Sequence, residues 1–120
     1  MTRGGAGHVV GSDAVRFAHP VERELAAIFD TLGIPWEYEP QTFVLERRRD
    51  GSVLEAFTPD FYLPEQDLYV ECTTMRQSLT TRKNRKIRKL RERGELVTVL
   101  YRRDFERLRR RYGYRFDLAA

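Results

Sequence analysis

The sequence predicts a small α/β domain: a mixed, mainly antiparallel sheet flanked by helices. Three observations lead there. "HPVERELAAIFDTLG" repeats its apolar residues at the helical period and stops at a glycine. "IPWEYEPQTFVLERRRDGSVLEAF" alternates apolar and polar residues around an Asp-Gly turn signal. "FTPDFYLPEQDLYVECTT" is an apolar run cut once by turn residues. A chain of 120 residues supports a single core. We expect one domain over 19–120, behind a Gly-rich tail over 1–18 that lacks periodicity and reads as flexible.

The elements follow in order. Pro20 suits the first turn of a helix, acids follow it early, and Gly33 is the stop. Leu25, Ile28, Phe29 and Leu32 form its apolar stripe. Trp36 and Tyr38 then alternate with Glu37 and Glu39 in a strand. A hairpin turns at Asp50-Gly51, with a loop of two residues or more. A third strand closes at Tyr62 to Pro64, and "DLYVECT" is a fourth. Thr80 to Arg93 is a strongly basic helix ending at Gly94. Glu95 to Tyr101 is a strand, and "RRDFERLRRRYG" a last helix with Phe105, Leu108 and Tyr112 facing inward. The predicted order is α-β-β-β-β-α-β-α.

Composition narrows the function classes. No run of 18 apolar residues is present, so no membrane partner is expected, and the N-terminal residues lack the apolar core of a signal peptide. One cysteine, Cys72, allows no intrachain disulfide, which suits a reducing cytoplasm. With Cys72 alone and two scattered histidines, His8 and His19, no zinc set is expected. Residues 1–71 hold 6 Lys+Arg against 13 Asp+Glu, net −7, while 72–120 hold 16 against 5, net +11. The basic half suits a polyanion; bound cations would let the acidic half sit near it.

Two acids interrupt the apolar run. If 57–63 and 68–74 pair antiparallel about Glu65-Gln66, Phe61 faces Val70 and Asp60 faces Glu71. Opposed side chains share a face with Cβ atoms roughly 5 Å apart, and Thr73 shares that face. Two opposed carboxylates destabilise a sheet unless one takes up a proton or a divalent cation joins them. The alternative is an edge position where one acid is harmlessly solvated.

Here the residues resemble the PD-(D/E)XK nuclease superfamily, and within it the phage endonuclease I type of Holliday-junction resolvase. "VERELAAIFDTLGIPWEYEP" is similar to that family's opening helix and strand, "TPDFYLP" to its metal-binding strand, and "YVECT" stands where the family has acid-X-Lys. The resemblance covers roughly residues 20–74. It implies a restriction-endonuclease-like core and a Mg²⁺ (or Mn²⁺) dependent endonuclease that hydrolyses DNA phosphodiesters. Asp60 and Glu71 would be metal ligands, with the Cys72 carbonyl, and Glu22 would reach in from the first helix. Glu24 lies about 200° round that helix from Glu22, so both cannot serve. The resolvase likeness alone brings branched DNA or repair intermediates into view, and leaves room for a homodimer.

One position departs from the pattern. Thr73 stands where the family has its catalytic lysine; a threonine donates a hydrogen bond but carries no charge. Either the chain is a catalytically inactive nucleic-acid-binding module, or a lysine comes from elsewhere. Lys83 is the candidate, since Lys83, Ile87 and Leu90 fall on one buried stripe. The competing role for Lys83 is a side chain that snorkels to solvent. Arg76 and Gln77 are weaker candidates.

"TTRKNRKIRKLRERG" carries eight basic residues and one acid. Like charges at i, i+4 repel, and a polyphosphate partner would relieve that. We expect Arg82, Arg85, Lys86, Arg88 and Lys89 to contact phosphates, with no base reading. A solvated helix, or one docking an acidic protein, is the alternative.

Overall fold

A computed structural model describes residues 15–73 and 81–112. Most of the expected tail, with His8, and the candidates Arg76 and Gln77 lie outside the described residues. Pro20 opens α1 (Pro20–Thr31), where His19 caps the helix by accepting the Val21 N–H on Nδ1 at 3.2 Å. The chain leaves α1 through Gly33 at φ +69°, a left-handed conformation that favours glycine. The helix therefore ends one residue before Leu32, the last position of the predicted stripe, which is 44% exposed. Val21, Leu25, Ala26, Ile28 and Phe29 make the buried face instead.

Five strands, not four, precede the second helix: β1 (Glu37–Tyr38), β2 (Phe43–Arg47), β3 (Val53–Phe57), β4 (Phe61–Leu63) and β5 (Leu68–Cys72). The expected third strand is broken at Thr58–Asp60, where Pro59 has no N–H to donate to a ladder. Then come α2 (Thr81–Glu92), β6 (Val97–Leu100) and α3 (Arg102–Tyr112). No helix among the described residues is long and apolar enough to cross a membrane.

The strands divide into two sheets. The central one has the order β1-β4-β5-β6, antiparallel except for the parallel β5–β6 pair, so the fold is mixed α/β with a mainly antiparallel sheet. The β4–β5 register is Phe61↔Val70, Tyr62↔Tyr69 and Leu63↔Leu68, as the turn and alternation predicted. The second sheet is the β2–β3 hairpin alone. Arg48 and Ser52 close its loop (N–H to O, 2.8 Å) around Arg49, Asp50 and Gly51, a three-residue connection with Gly51 at φ +90°.

Two apolar layers sandwich the central sheet. Phe61, Leu63, Val70 and Cys72 face α1 and α3, meeting Leu25, Phe29, Trp36 and Phe105. Val15 and Phe17 close over this layer, with the Phe17 ring edge-on to Tyr38 at 4.9 Å. On the other face Tyr62, Tyr69 and Val97 meet Ile87 and Leu90 of α2 and Phe43, Leu45 and Phe57 of the hairpin. Trp36, Phe43, Phe57 and Phe61 are thus core residues.

Candidate active site

At one end of the central sheet the ladder is completed by side chains. Tyr69 and Thr73 donate their N–H groups to Leu96 and Leu100 of the β6 segment, so the N–H of Cys72 points to the β4 side. Register places Pro59 opposite Cys72. There Asp60 Oδ2 accepts the Cys72 N–H at 2.8 Å, and Glu71 Oε1 accepts the Asp60 N–H at 3.1 Å. Asp60 and Glu71 are 8% and 4% exposed, so neither is a solvated edge acid.

Lys83 joins them from the first turn of α2. Its Nζ lies 2.8 Å from Glu71 Oε2 and 3.3 Å from the Cys72 carbonyl oxygen. It does not snorkel away: Ile87 and Leu90 bury the same helix stripe and turn the lysine onto the strand end. Thr73 is 4% exposed beside this cluster, its N–H bound to Leu100 O at 2.9 Å.

Glu22 approaches from α1, on the opposite face. Its Oε1 accepts the Tyr38 hydroxyl at 2.6 Å and the Ala18 N–H at 3.2 Å. Glu24 is turned away and forked by Arg109, at 2.6 and 3.0 Å. Tyr38 and Glu39 escaped the sequence reading as site residues. Glu39 adopts φ +45° and donates its N–H to Asp60 O at 2.8 Å, tying β1 to the acid. Their only signal was the alternation in "WEYEP".

Burial and mutual repulsion set the electrostatics. Burial, then the Glu71 charge, push Asp60 up to about 8, with a smaller push from Glu22 and relief from the Cys72 amide and Lys83. Glu71 is also raised by burial, against the bond from Lys83. Burial and mutual repulsion thus favour the protonated form in the Asp60–Glu71 pair. Burial and the same three carboxylates drive the Cys72 thiol pKa upward, so it remains protonated and is no nucleophile. Burial, then the hydrogen bond to Glu22, likewise raise the Tyr38 hydroxyl.

Two hard oxygens, Glu71 Oε2 and Cys72 O, already converge on one cation, the Lys83 ammonium, with the Asp60 carboxyl adjacent. Such donors suit Mg²⁺ or Mn²⁺, which bind through one or two carboxylates and complete their shell with water and phosphate oxygens. No three His, Cys, Asp or Glu side chains among the described residues form a ready-made cage. The oxygens that converge here are the Glu71 carboxylate and the Cys72 carbonyl, with the Asp60 carboxyl adjacent.

Most cations of the basic helix have partners within the chain. Arg85 and Lys89 bind the buried Glu55 of β3 at 2.9 and 2.6 Å, and Lys86 binds Ala56 O at 2.9 Å. Lys89, then Arg85, hold the Glu55 carboxyl below its ordinary range. Arg91 binds Val97 O, and Arg93 binds Val44 O and Leu45 O. With Lys83, six of the eight cations hold the molecule together. Only Arg82 and Arg88 of the five predicted phosphate contacts bond to no acid or carbonyl among the described residues. Glu55 and Glu46 of the hairpin supply part of the counter-charge for the helix. No family model, curated protein or solved structure matches this chain.

Proposed function

We propose that this chain is a Mg²⁺-dependent endonuclease hydrolysing DNA phosphodiesters, on a restriction-endonuclease-like core. One observation carries the proposal: Lys83 Nζ stands 2.8 Å from Glu71 Oε2 beside the buried Asp60 carboxyl. Acid, acid and lysine are thereby assembled although the motif position itself holds Thr73. Asp60, Glu71 and the Cys72 carbonyl would hold the ion, with Glu22, steadied by Tyr38, on its flank. A divalent cation there supplies Lewis-acid polarisation of the phosphodiester and acidifies water.

The chain's own groups do the rest. The Lys83 ammonium offsets negative charge on the scissile phosphate and orients the attacking water by hydrogen bonding. Thr73 adds a hydroxyl on the same face. Burial of the acids excludes bulk water, which strengthens each of these interactions.

Incubation of the full chain with supercoiled plasmid and with a four-way junction, in Mg²⁺ or Mn²⁺, tests the proposal. Nicking that Asp60→Asn abolishes supports it. A wild-type protein that binds DNA as tightly as Asp60→Asn and cuts neither substrate would leave a catalytically inactive binding module. Thr73 in the lysine's place is the observation favouring that alternative.

A further inference from the structure

We propose that the outward face of α3, formed by Arg103, Arg107 and Arg110, is the principal phosphate-contact surface of this chain. The choice of nucleic acid as the polyanion rests on the function proposed above; the location of the surface does not.

Of the eight cations in and just after α2, six are bonded to Glu55, Glu46, Glu71 and backbone carbonyls, which leaves Arg82 and Arg88. Helix α3 is the reverse. Phe105 and Leu108 pack against the core, and at 100° per residue Arg103, Arg107 and Arg110 fall on the opposite side. All three are exposed and bond to no acid or carbonyl among the described residues. The other charges on the helix are partly committed. Asp104 Oδ2 accepts the Tyr101 N–H at 2.8 Å, and Arg109 forks Glu24. Glu106 is the one acid near the stripe.

Cations at i, i+4 and i+3 repel, so this stripe weakens its own helix until an anion arrives. Arginine's planar fork suits phosphate, and a stripe roughly 10 Å long suits a backbone carrying several phosphates rather than a lone anion. A membrane surface fits poorly, because Leu108 turns inward and, among the described residues of α3, no exposed apolar side chain lies beside the arginines. Position agrees as well. Helix α3 starts two residues after Leu100, whose carbonyl accepts the Thr73 N–H at 2.9 Å. The stripe therefore runs from the same end of the sheet as Asp60 and Glu71.

Fluorescence anisotropy of the full chain on a labelled DNA duplex, in chelator so that no strand is cut, tests this. The variant Arg103→Ala/Arg107→Ala/Arg110→Ala is expected to bind roughly 10- to 100-fold more weakly, with a slope of log Kd against log salt shallower by about 2 to 3. Arg82→Ala/Arg88→Ala should lose less, and the triple Arg→Lys variant should keep the wild-type slope. Thermal melting checks the fold. Should the triple alanine variant melt early, Arg107→Glu alone must show the weakening. An α3 variant that binds with wild-type affinity and slope overturns the surface and leaves the nuclease proposal standing. A wild-type chain that binds polyglutamate but not DNA, or neither, overturns both.

Discussion

Lys83 of α2 reaches back to Glu71 of β5, Nζ to Oε2 at 2.8 Å, so a helix lysine meets a buried strand carboxylate. The same ammonium holds Cys72 O at 3.3 Å, so it bonds two of the oxygens proposed for the ion. Lys83→Met should therefore separate two properties. Cleavage is expected to fall by about 10²-fold or more, the scale of losing a preorganised charged donor. Metal affinity, read by calorimetry, should stay level or tighten, because a competing cation is gone. Adding Thr73→Lys to Lys83→Met should return part of the cleavage. Weakened metal binding in Lys83→Met would contradict this assignment.

The pH dependence follows from Asp60. Burial and the Glu71 charge push its carboxyl from the ordinary 3.8 up to about 8 in the folded chain, so the folded state binds the proton more tightly. The associated stability is fully present below the unfolded value and is lost as pH rises through about 8. Metal-free wild type should melt lower at about pH 9 than at about pH 5, and Asp60→Asn should flatten that difference. The ion needs the ionised carboxyl, so the Mg²⁺-induced rise in Tm should be larger at the higher pH. Melting curves at both values, with and without Mg²⁺, check the sign.

Glu55 pins the hairpin to α2 through Arg85 and Lys89. Replacing it with Gln should lower Tm while freeing two cations on the helix. DNA binding should then tighten and its salt slope steepen by up to about 2. Opposite movements of stability and affinity are the expected signature, measured by thermal melting and anisotropy on the same protein.

Tyr38→Phe keeps the ring against Phe17 and Phe61 but removes the 2.6 Å bond to Glu22. If Glu22 serves the ion, metal affinity should drop roughly 10-fold, the usual cost of losing a group that orients a ligand. The fold should persist, with near-UV circular dichroism from the aromatic layer retained. An unchanged affinity would remove Glu22 from the ligand set.

Short-range features were readable from the chain. The β4–β5 register followed from one turn and the alternation of side chains, and the place of Lys83 on the Ile87–Leu90 stripe followed from spacing, which left open whether its ammonium turned to solvent or to the strand end. What could not be read depends on distant partners. Glu55 meets Arg85 and Lys89 across 30 and 34 residues, and nothing local announces that the basic helix has acids waiting for it. The hand of Tyr38 on Glu22, across 16 residues, is equally silent in one dimension. The division of the expected third strand had a local signal in Pro59, which the apolar neighbours Phe57 and Phe61 outweighed. Leu32 satisfied the helical period but fell one residue past the point where Gly33 takes the chain out of the helix.

At the closed end of the sheet, the Asp60 and Glu71 carboxylates take the amide protons of Cys72 and Asp60. The carboxyl groups that would greet a ligand are thus also the clasp of two main-chain amides, each through one of its oxygens. An ion drawing on those carboxyls is expected to loosen the clasp. Solvent exchange of just these two amide protons would then read out occupancy of the cluster directly, with no substrate added and no bond cut.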